Sequence, residues 1–228
     1  MNLLAKIREI FDANRISDRL LATYKSRIVD KVCARYRRNQ LKRKDFSIIC
    51  NNCLAWGIYH KLGLQFTTPT VGLFFFDADY VKFLDNFDFL IRQPLKFKNI
   101  SKYSKANELL KEKKYPIGVL GDDIEIHFLH YRDEQDAAEK WLKRTARINF
   151  DNLFFVFSDQ DGFNEELLTL YENLPFENKI FFSSKPAENH PCLIYLDSSN
   201  SQYITRNRKY EKQIDIIKWL NGEKNFRK

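Results

Sequence analysis

Ten polar side chains stand directly after short apolar runs, where chain reversals bring reactive groups together: Asn51, Asn52, Cys53, Asp77, Asp79, His127, His130, Ser158, Asp159 and Asp161. Cys53 closes the turn Asn51-Asn52-Cys53, just ahead of a segment expected to be helical from Leu54. Free N–H groups at a helix N-terminus lower a thiol's pKa and stabilise an oxyanion. Asn51 and Asn52 add amide donors, so the turn reads as a nucleophile or an oxyanion- and substrate-binding corner. The competing reading is a small buried thiol at a tight junction. Cys50 and Cys53 also have the spacing of a redox dithiol. Their Asn-Asn interior and Leu-Ala-Trp flank are not those of thioredoxin-like proteins, and Cys33 and Cys192 are too isolated to complete a zinc site.

The base candidates lie in Ile124-Glu-Ile-His-Phe-Leu-His130. Strand alternation puts Asp123, Glu125 and His127 on one face, so a carboxylate could orient His127 as a general base. His130 lies nearer the strand end, and Asp159 is a further candidate for orienting a histidine. A hydrogen-bonded structural role is the alternative for either histidine. His60, on a helix face, and His190, in a Pro-flanked loop, are read as structural. Asp77-Ala-Asp79 and Asp159-Gln-Asp161 each follow a Phe-rich run. Such pairs can place a hard cation against a nucleotide diphosphate, but Asp also caps helices and opens turns, and no metal site is assigned.

Positioning these groups requires strands alternating with helices. Apolar runs at 46–50, 70–76, 153–157, 179–182 and 192–196, with Ile124–His130, are read as strands. Helices are expected at 54–62 (ended by Gly63), from Asp79 as cap through Phe87, at 105–114, at 133–148, from Asn164 to 173, and at 208–220. Unbroken apolar strands between helices imply a three-layer α/β/α fold with a mostly parallel sheet, whose ligands gather beyond the carboxyl ends of the strands. The chain divides into a helical arm, 1–44, and a single α/β domain, 45–228.

The charge follows that division. Residues 1–45 hold 13 Lys/Arg against 5 Asp/Glu, whereas residues 46–228 hold 25 of each, so the net +8 of the 228-residue chain belongs to the arm. Ser17 is expected to cap an arm helix bearing the stripe Leu21, Tyr24, Ile28, Val32 and Tyr36, flanked by Arg27, Lys31 and Arg38. A basic amphipathic helix suits either docking with a solvated face or peripheral contact with an anionic membrane. No nucleic-acid-binding motif accompanies the charge, so nucleic acid is not an expected partner. No run of about 18 apolar residues, no signal-peptide pattern and no disulfide framework is evident, which points to a cytoplasmic protein, at most peripheral on the inner face of the membrane.

The motifs Ser47-Ile-Ile-Cys-Asn-Asn-Cys53, Gly57-Ile-Tyr-His-Lys-Leu-Gly-Leu64, Thr68-Pro-Thr-Val-Gly-Leu-Phe-Phe75, Tyr115-Pro-Ile-Gly118, Ile124-Glu-Ile-His-Phe-Leu-His-Tyr131, Glu139-Lys-Trp141, Arg147-Ile-Asn149, Asn152-Leu-Phe154 and Phe157-Ser-Asp159 follow in order. Together they resemble an uncharacterised bacterial family of exopolysaccharide or capsular polysaccharide biosynthesis proteins, over about residues 45 to 185. The Asn-Asn-Cys turn also loosely resembles the first block of capsule acetyltransferases related to SGNH hydrolases, though the Gly before the turn and the late Asp-x-x-His block are missing. The resemblance implies a setting, cell-surface polysaccharide assembly; within it the strand-end residues suggest transfer of an acyl or related group to a polysaccharide or a lipid-linked saccharide, with acyl-CoA or a nucleotide sugar as donor. The alternatives are a metal-dependent nucleotide-sugar glycosyltransferase and a non-enzymatic membrane-associated assembly factor.

Overall fold

The structure, a computed structural model, describes residues 29–159, 161–186, 190–196 and 210–228. In chain order the elements are α1 (residues 29–39), β1 (Ser47–Cys50), α2 (Leu54–Leu62), α3 (Asp77–Asp85), α4 (Phe87–Leu90), β2 (Lys96–Lys98), α5 (Ser104–Glu112), β3 (Ile117–Leu120), β4 (Ile124–His127), α6 (Glu134–Thr145), β5 (Leu153–Ser158), α7 (Glu165–Asn173), β6 (Lys179–Ser183), β7 (Leu193–Tyr195), α8 (Tyr210–Gln213) and α9 (Ile216–Leu220).

Four strands form a parallel sheet in the order β1-β5-β6-β7. Alternation along each strand feeds two separate cores. Ile49, Phe155, Phe157, Phe181 and Leu193 pack with α3, α4, α6 and α7 on one face. Ile48, Cys50, Phe154, Val156, Ile180, Phe182 and Ile194 pack with α2, Tyr210 and α9 on the other. Both faces are therefore covered, which is why these strands read as continuous apolar runs. The expected α/β/α layering is present.

A second sheet was not anticipated. β2, β3 and β4 form an antiparallel meander beside the first core. Ile124–His127 therefore belongs to this small sheet, and the rule for ligands beyond parallel strand ends does not govern His127 or His130. Residues 70–76, expected as a full strand, make a single antiparallel bridge between Phe74 and His127. Their apolar side chains fill the seam between the two sheets, so hydrophobicity here reflects burial without a ladder.

Helix ends follow local chemistry. Gly63, at φ 59, closes α2 in the left-handed region, as expected. Asp133 caps α6 by accepting from the Asp136 N–H, and Asn164 caps α7 by accepting from the Leu167 N–H. Asp79 does not cap α3; the helix starts at Asp77, and both carboxylates lie in its first turn. The last expected helix is broken into α8 and α9, because Asp215 caps a new helix through the Ile217 and Lys218 N–H groups.

Ser17, Leu21, Tyr24, Arg27 and Ile28 of the arm lie outside the described residues. In α1, Ala34 packs near Gly63, and Arg38 donates to the Gly63 carbonyl at 3.0 Å, so α1 docks on the C-terminal end of α2. Val32 and Tyr36, the described part of the predicted stripe, are exposed. The helix docks by the opposite side.

Candidate active site at the parallel strand ends

β1 and β5 lie side by side, and their carboxyl ends deliver Asn51 and Ser158 to one place. The Asn51 amide Nδ2 donates to the Ser158 carbonyl at 2.8 Å and to Asp77 Oδ1 at 3.1 Å. Its Oδ1 accepts from the Ser158 N–H at 3.2 Å. Asn52 donates to Ser158 Oγ, and its Oδ1 receives the Leu54 N–H at 3.0 Å, so Asn52, not Cys53, satisfies the start of α2. Asp77 is fully buried and accepts the Asp161 N–H at 3.2 Å, while its own N–H donates to the Asp161 carbonyl at 3.0 Å. Asp161 in turn pairs with Lys105 of α5.

This amide–carboxyl knot has a definite electrostatic character. Burial, followed by the charges of Asp161 and Asp159, pushes the Asp77 carboxyl up to about 8 against the opposing hydrogen bonds. Burial also raises Asp159, which accepts from Ser183 Oγ at 3.0 Å and from the Ser184 N–H at 2.8 Å. Those partners lie at the end of β6, and no hydrogen bond joins Asp159 to a histidine among the described residues.

Asn51 carries the knot. Replacing it with Ala leaves both backbone groups of Ser158 and one oxygen of Asp77 without their partner in a buried place. Each buried unsatisfied group costs about 1–3 kcal/mol. Asn51→Ala is therefore expected to lower unfolding free energy by about 2–4 kcal/mol in denaturant titration, whereas Asn51→Asp keeps the Ser158 N–H contact and places a third carboxylate against Asp77.

Cys53 stands at the start of α2 with Sγ 3.8 Å from the Leu73 carbonyl. Burial raises its thiol, opposed by a hydrogen bond to the Gly72 backbone. At this helix start the Leu54 N–H is occupied by Asn52 Oδ1. His130 donates its backbone N–H to the Gly72 carbonyl at 3.0 Å, so Cys53 and His130 are attached to the same 72–73 segment. Cys50 is buried, and burial pushes its thiol up to about 11, which does not suit a reactive dithiol.

A second polar group lies under the antiparallel sheet. Glu125 and His127 have fully buried side chains, with Oε2 and Nε2 3.4 Å apart, as strand alternation predicts. Glu125 also accepts from Ser101 Oγ and from the Lys102 N–H at 2.7 Å, and pairs with Lys98. Burial would raise the Glu125 carboxyl, but its bonds to His127, Lys98 and Ser101 outweigh this and hold it at about 2. Asp79 joins this group, accepting from Lys102 Nζ at 2.7 Å and from the Glu125 N–H at 3.0 Å. The two aspartates of Asp77-Ala-Asp79 thus serve different clusters and do not form one cation site. Among the described residues no group of three or more His, Cys, Asp or Glu side chains is arranged to hold a metal ion.

The His127 ring lies flat on Phe74, 4.6 Å between centroids, and meets Phe76 and Tyr115 edge-on. Tyr115 Oη is 3.4 Å from His127 Nδ1. Sequence reasoning left Tyr115 and Lys105 out of the site. The only available signal was that Tyr115-Pro-Ile-Gly118 enters the strand paired with β4. A surface cleft of about 230 Å³ lies apart from these clusters, at the C-terminal end of α2, between Leu62, Ile214 and Ile217.

Residues 24–221 match the family model described as Domain of unknown function (DUF1919). The chain belongs to the DUF1919 family. A relative from Haemophilus influenzae, described as an uncharacterized protein, is 35% identical over 193 residues, spanning 81% of this chain and 88% of the relative. The matched DUF1919 region takes in both polar clusters and the described part of α1. Among the described residues no helix is long and apolar enough to cross a membrane.

Proposed function

We propose that this DUF1919 chain is a transferase of cell-surface polysaccharide assembly that moves an acyl or related group onto a hydroxyl of a saccharide or lipid-linked saccharide. The observation that supports it best is the knot of Asn51, Asn52, Asp77, Ser158 and Asp161 at the carboxyl ends of β1 and β5. Such amide and carboxyl groups are the ones that bind sugar hydroxyls, and this edge of a parallel sheet is where ligands collect. The resemblance of the ordered motifs to polysaccharide biosynthesis proteins suggests the setting. Cys53, next to Asn52, and His130, tied to the same 72–73 segment as Cys53, are proposed as substrate-contacting groups, and a thiol raised by burial fits a lining role better than an attacking one. Acyl-CoA or a nucleotide sugar is the donor class. The basic arm, residues 1–44, is proposed to rest on anionic lipid at the inner face of the membrane, where lipid-linked saccharides are presented.

A thermal-shift panel of acyl-CoAs and nucleotide sugars, with and without Mn²⁺, tests the reading. Stabilisation by an acyl-CoA without metal is the expected result; binding at 100 times Kd would contribute about 2.7 kcal/mol. Metal-dependent stabilisation by a nucleotide sugar would replace acyl transfer by glycosyl transfer. Asn51 and Asp77 variants should lose the shift.

A further inference from the structure

His127 cannot meet a substrate directly. Its side chain is fully buried, as is that of Glu125. Its face is covered by Phe74, and Phe76 and Tyr115 close its edges. Its Nε2 lies 3.4 Å from Glu125 Oε2, too poorly aligned for a hydrogen bond, and has no other partner among the described residues. The one outlet is Nδ1, which faces Tyr115 Oη at 3.4 Å. Tyr115 keeps 7% of its surface. Its phenol is raised to about 12 by burial first, then by the charges of Glu125 and Asp161. The 74–77 segment joins the two clusters: Phe74 and Phe76 pack on His127, the Phe75 N–H donates to the Asn51 carbonyl at 2.9 Å, and Asp77 belongs to the knot.

We propose that Tyr115 is the catalytic residue that meets the acceptor hydroxyl, and that His127 and Glu125 are positioning residues acting through it as a buried proton relay. The inference deepens the transferase reading and rests on it. The acceptor O–H gives its proton to Tyr115 Oη as the Tyr115 proton passes to His127 Nδ1. The acceptor oxygen then attacks the acyl carbonyl of the donor, and the leaving group takes the proton back along the same line. The imidazolium formed in between has both N–H groups engaged, one by Tyr115 and one by the Glu125 carboxylate. A charge-assisted hydrogen bond is shorter than a neutral one, so the long Nε2–Oε2 contact tightens when that charge appears. The charged groups around the relay come from every element packed on it. Lys98 of β2, Lys102 before α5 and Asp79 of α3 bind or flank Glu125, and the charge of Asp161 acts on Tyr115. Glu125 keeps its charge because Lys98, Ser101 and the Lys102 N–H share it.

The relay can be tested with no substrate in hand. N-acetylimidazole, a small acyl donor, is expected to acetylate Tyr115 in the full-length protein, mapped by peptide mass spectrometry. His127→Gln should slow that modification at least five-fold while leaving acetylation of other tyrosines unchanged. No labelling at Tyr115, or equal rates in wild type and His127→Gln, would overturn the relay. Should His127→Gln fold poorly, nitrogen NMR of histidine in wild type and Tyr115→Phe decides the matter. The chain has four histidines, which keeps assignment simple. The expected state is His127 protonated on Nε2, with an Nδ1 resonance that moves when Tyr115→Phe removes its donor. A proton on Nδ1, or no response to Tyr115→Phe, sinks the relay. Failure of the ligand panel alone would count against acyl transfer and leave the relay standing. Once a substrate is found, Tyr115→Phe and His127→Gln should each lower kcat at least 100-fold with little change in KM, and the double variant should be no worse than either.

Discussion

Glu125→Ala is expected to lower the unfolding free energy by about 3–5 kcal/mol at neutral pH, the scale for removing one partner from a buried charge cluster. The Glu125 side chain has no exposed surface, and it gathers Ser101 Oγ, the Lys102 N–H, Lys98 Nζ and His127 Nε2 around two oxygens. Removing it leaves the Ser101 hydroxyl and the Lys102 N–H without their acceptor and the Lys98 ammonium without its carboxylate. It also detaches the 101–103 segment from β4, and with it Tyr103, whose ring stacks on Phe76 at 3.8 Å. A pH series gives a second readout. The carboxyl sits near 4.5 when unperturbed and at about 2 in the fold. A depressed carboxyl contributes stability that is present above the unperturbed value and is lost as pH falls toward the folded one. The gap between wild type and Glu125→Ala should therefore be widest above pH 5 and should close as the pH is lowered toward 2. A cost below about 1 kcal/mol at pH 7 would show that the cluster does not hold the antiparallel sheet in place.

Different parts of this molecule were legible to different degrees, for physical reasons. β1, β5, β6 and β7 could be read from composition because both sheet faces are covered, so nearly every interior position is apolar and periodicity is unnecessary. α2 could be read to the residue because Gly63 stops it in a conformation that favours glycine. Residues 70–76 are as apolar as those strands yet make only one bridge, since burial between two layers leaves the same imprint as burial within a sheet. The pairing of Glu125 with His127 followed from alternation alone, which holds in any strand. Their placement did not, because nothing in Ile124–His127 distinguishes a parallel strand from one in a short meander. The knot was legible as a list and illegible as contacts. Asn51, Asp77 and Asp161 were each singled out as residues after apolar runs, but only the β1–β5 register brings Asn51 to Ser158, and only the start of α3 at Asp77 brings that carboxyl beneath both. Tyr115 and Lys105 carried no local signal, because their importance lies in which side chains the meander and α5 bring close.

Asp77 should act in the opposite sense to Glu125. Wild-type stability is expected to fall as pH rises from about 4 to 8, relative to Asp77→Asn. The carboxyl moves from an ordinary 3.8 to about 8 in the fold. Between those values the folded chain holds a proton that the unfolded chain has released, so the linkage slope is negative, at most about 1.4 kcal/mol per pH unit. Above the folded value the slope vanishes. Asp77→Asn removes the titration but cannot reproduce both accepted bonds. With one amide oxygen it keeps either the Asn51 contact or the Asp161 N–H, at a pH-independent cost of about 1–3 kcal/mol. Wild type should therefore be the more stable protein at pH 5 and lose that advantage by pH 8, as read by denaturant midpoints across the series. Parallel curves would show that Asp77 ionises normally, and direct titration of its carboxyl carbon by NMR would report the same fact independently. The consequence reaches the chemistry. A carboxyl that keeps its proton near neutrality can donate a hydrogen bond, as an ordinary carboxylate cannot. Asp77 is fully buried beside Asn51 and Asp161, so its proton serves the strand-end knot itself, and ligand binding that needs the knot intact should weaken as pH rises toward 8 along with the wild-type stability.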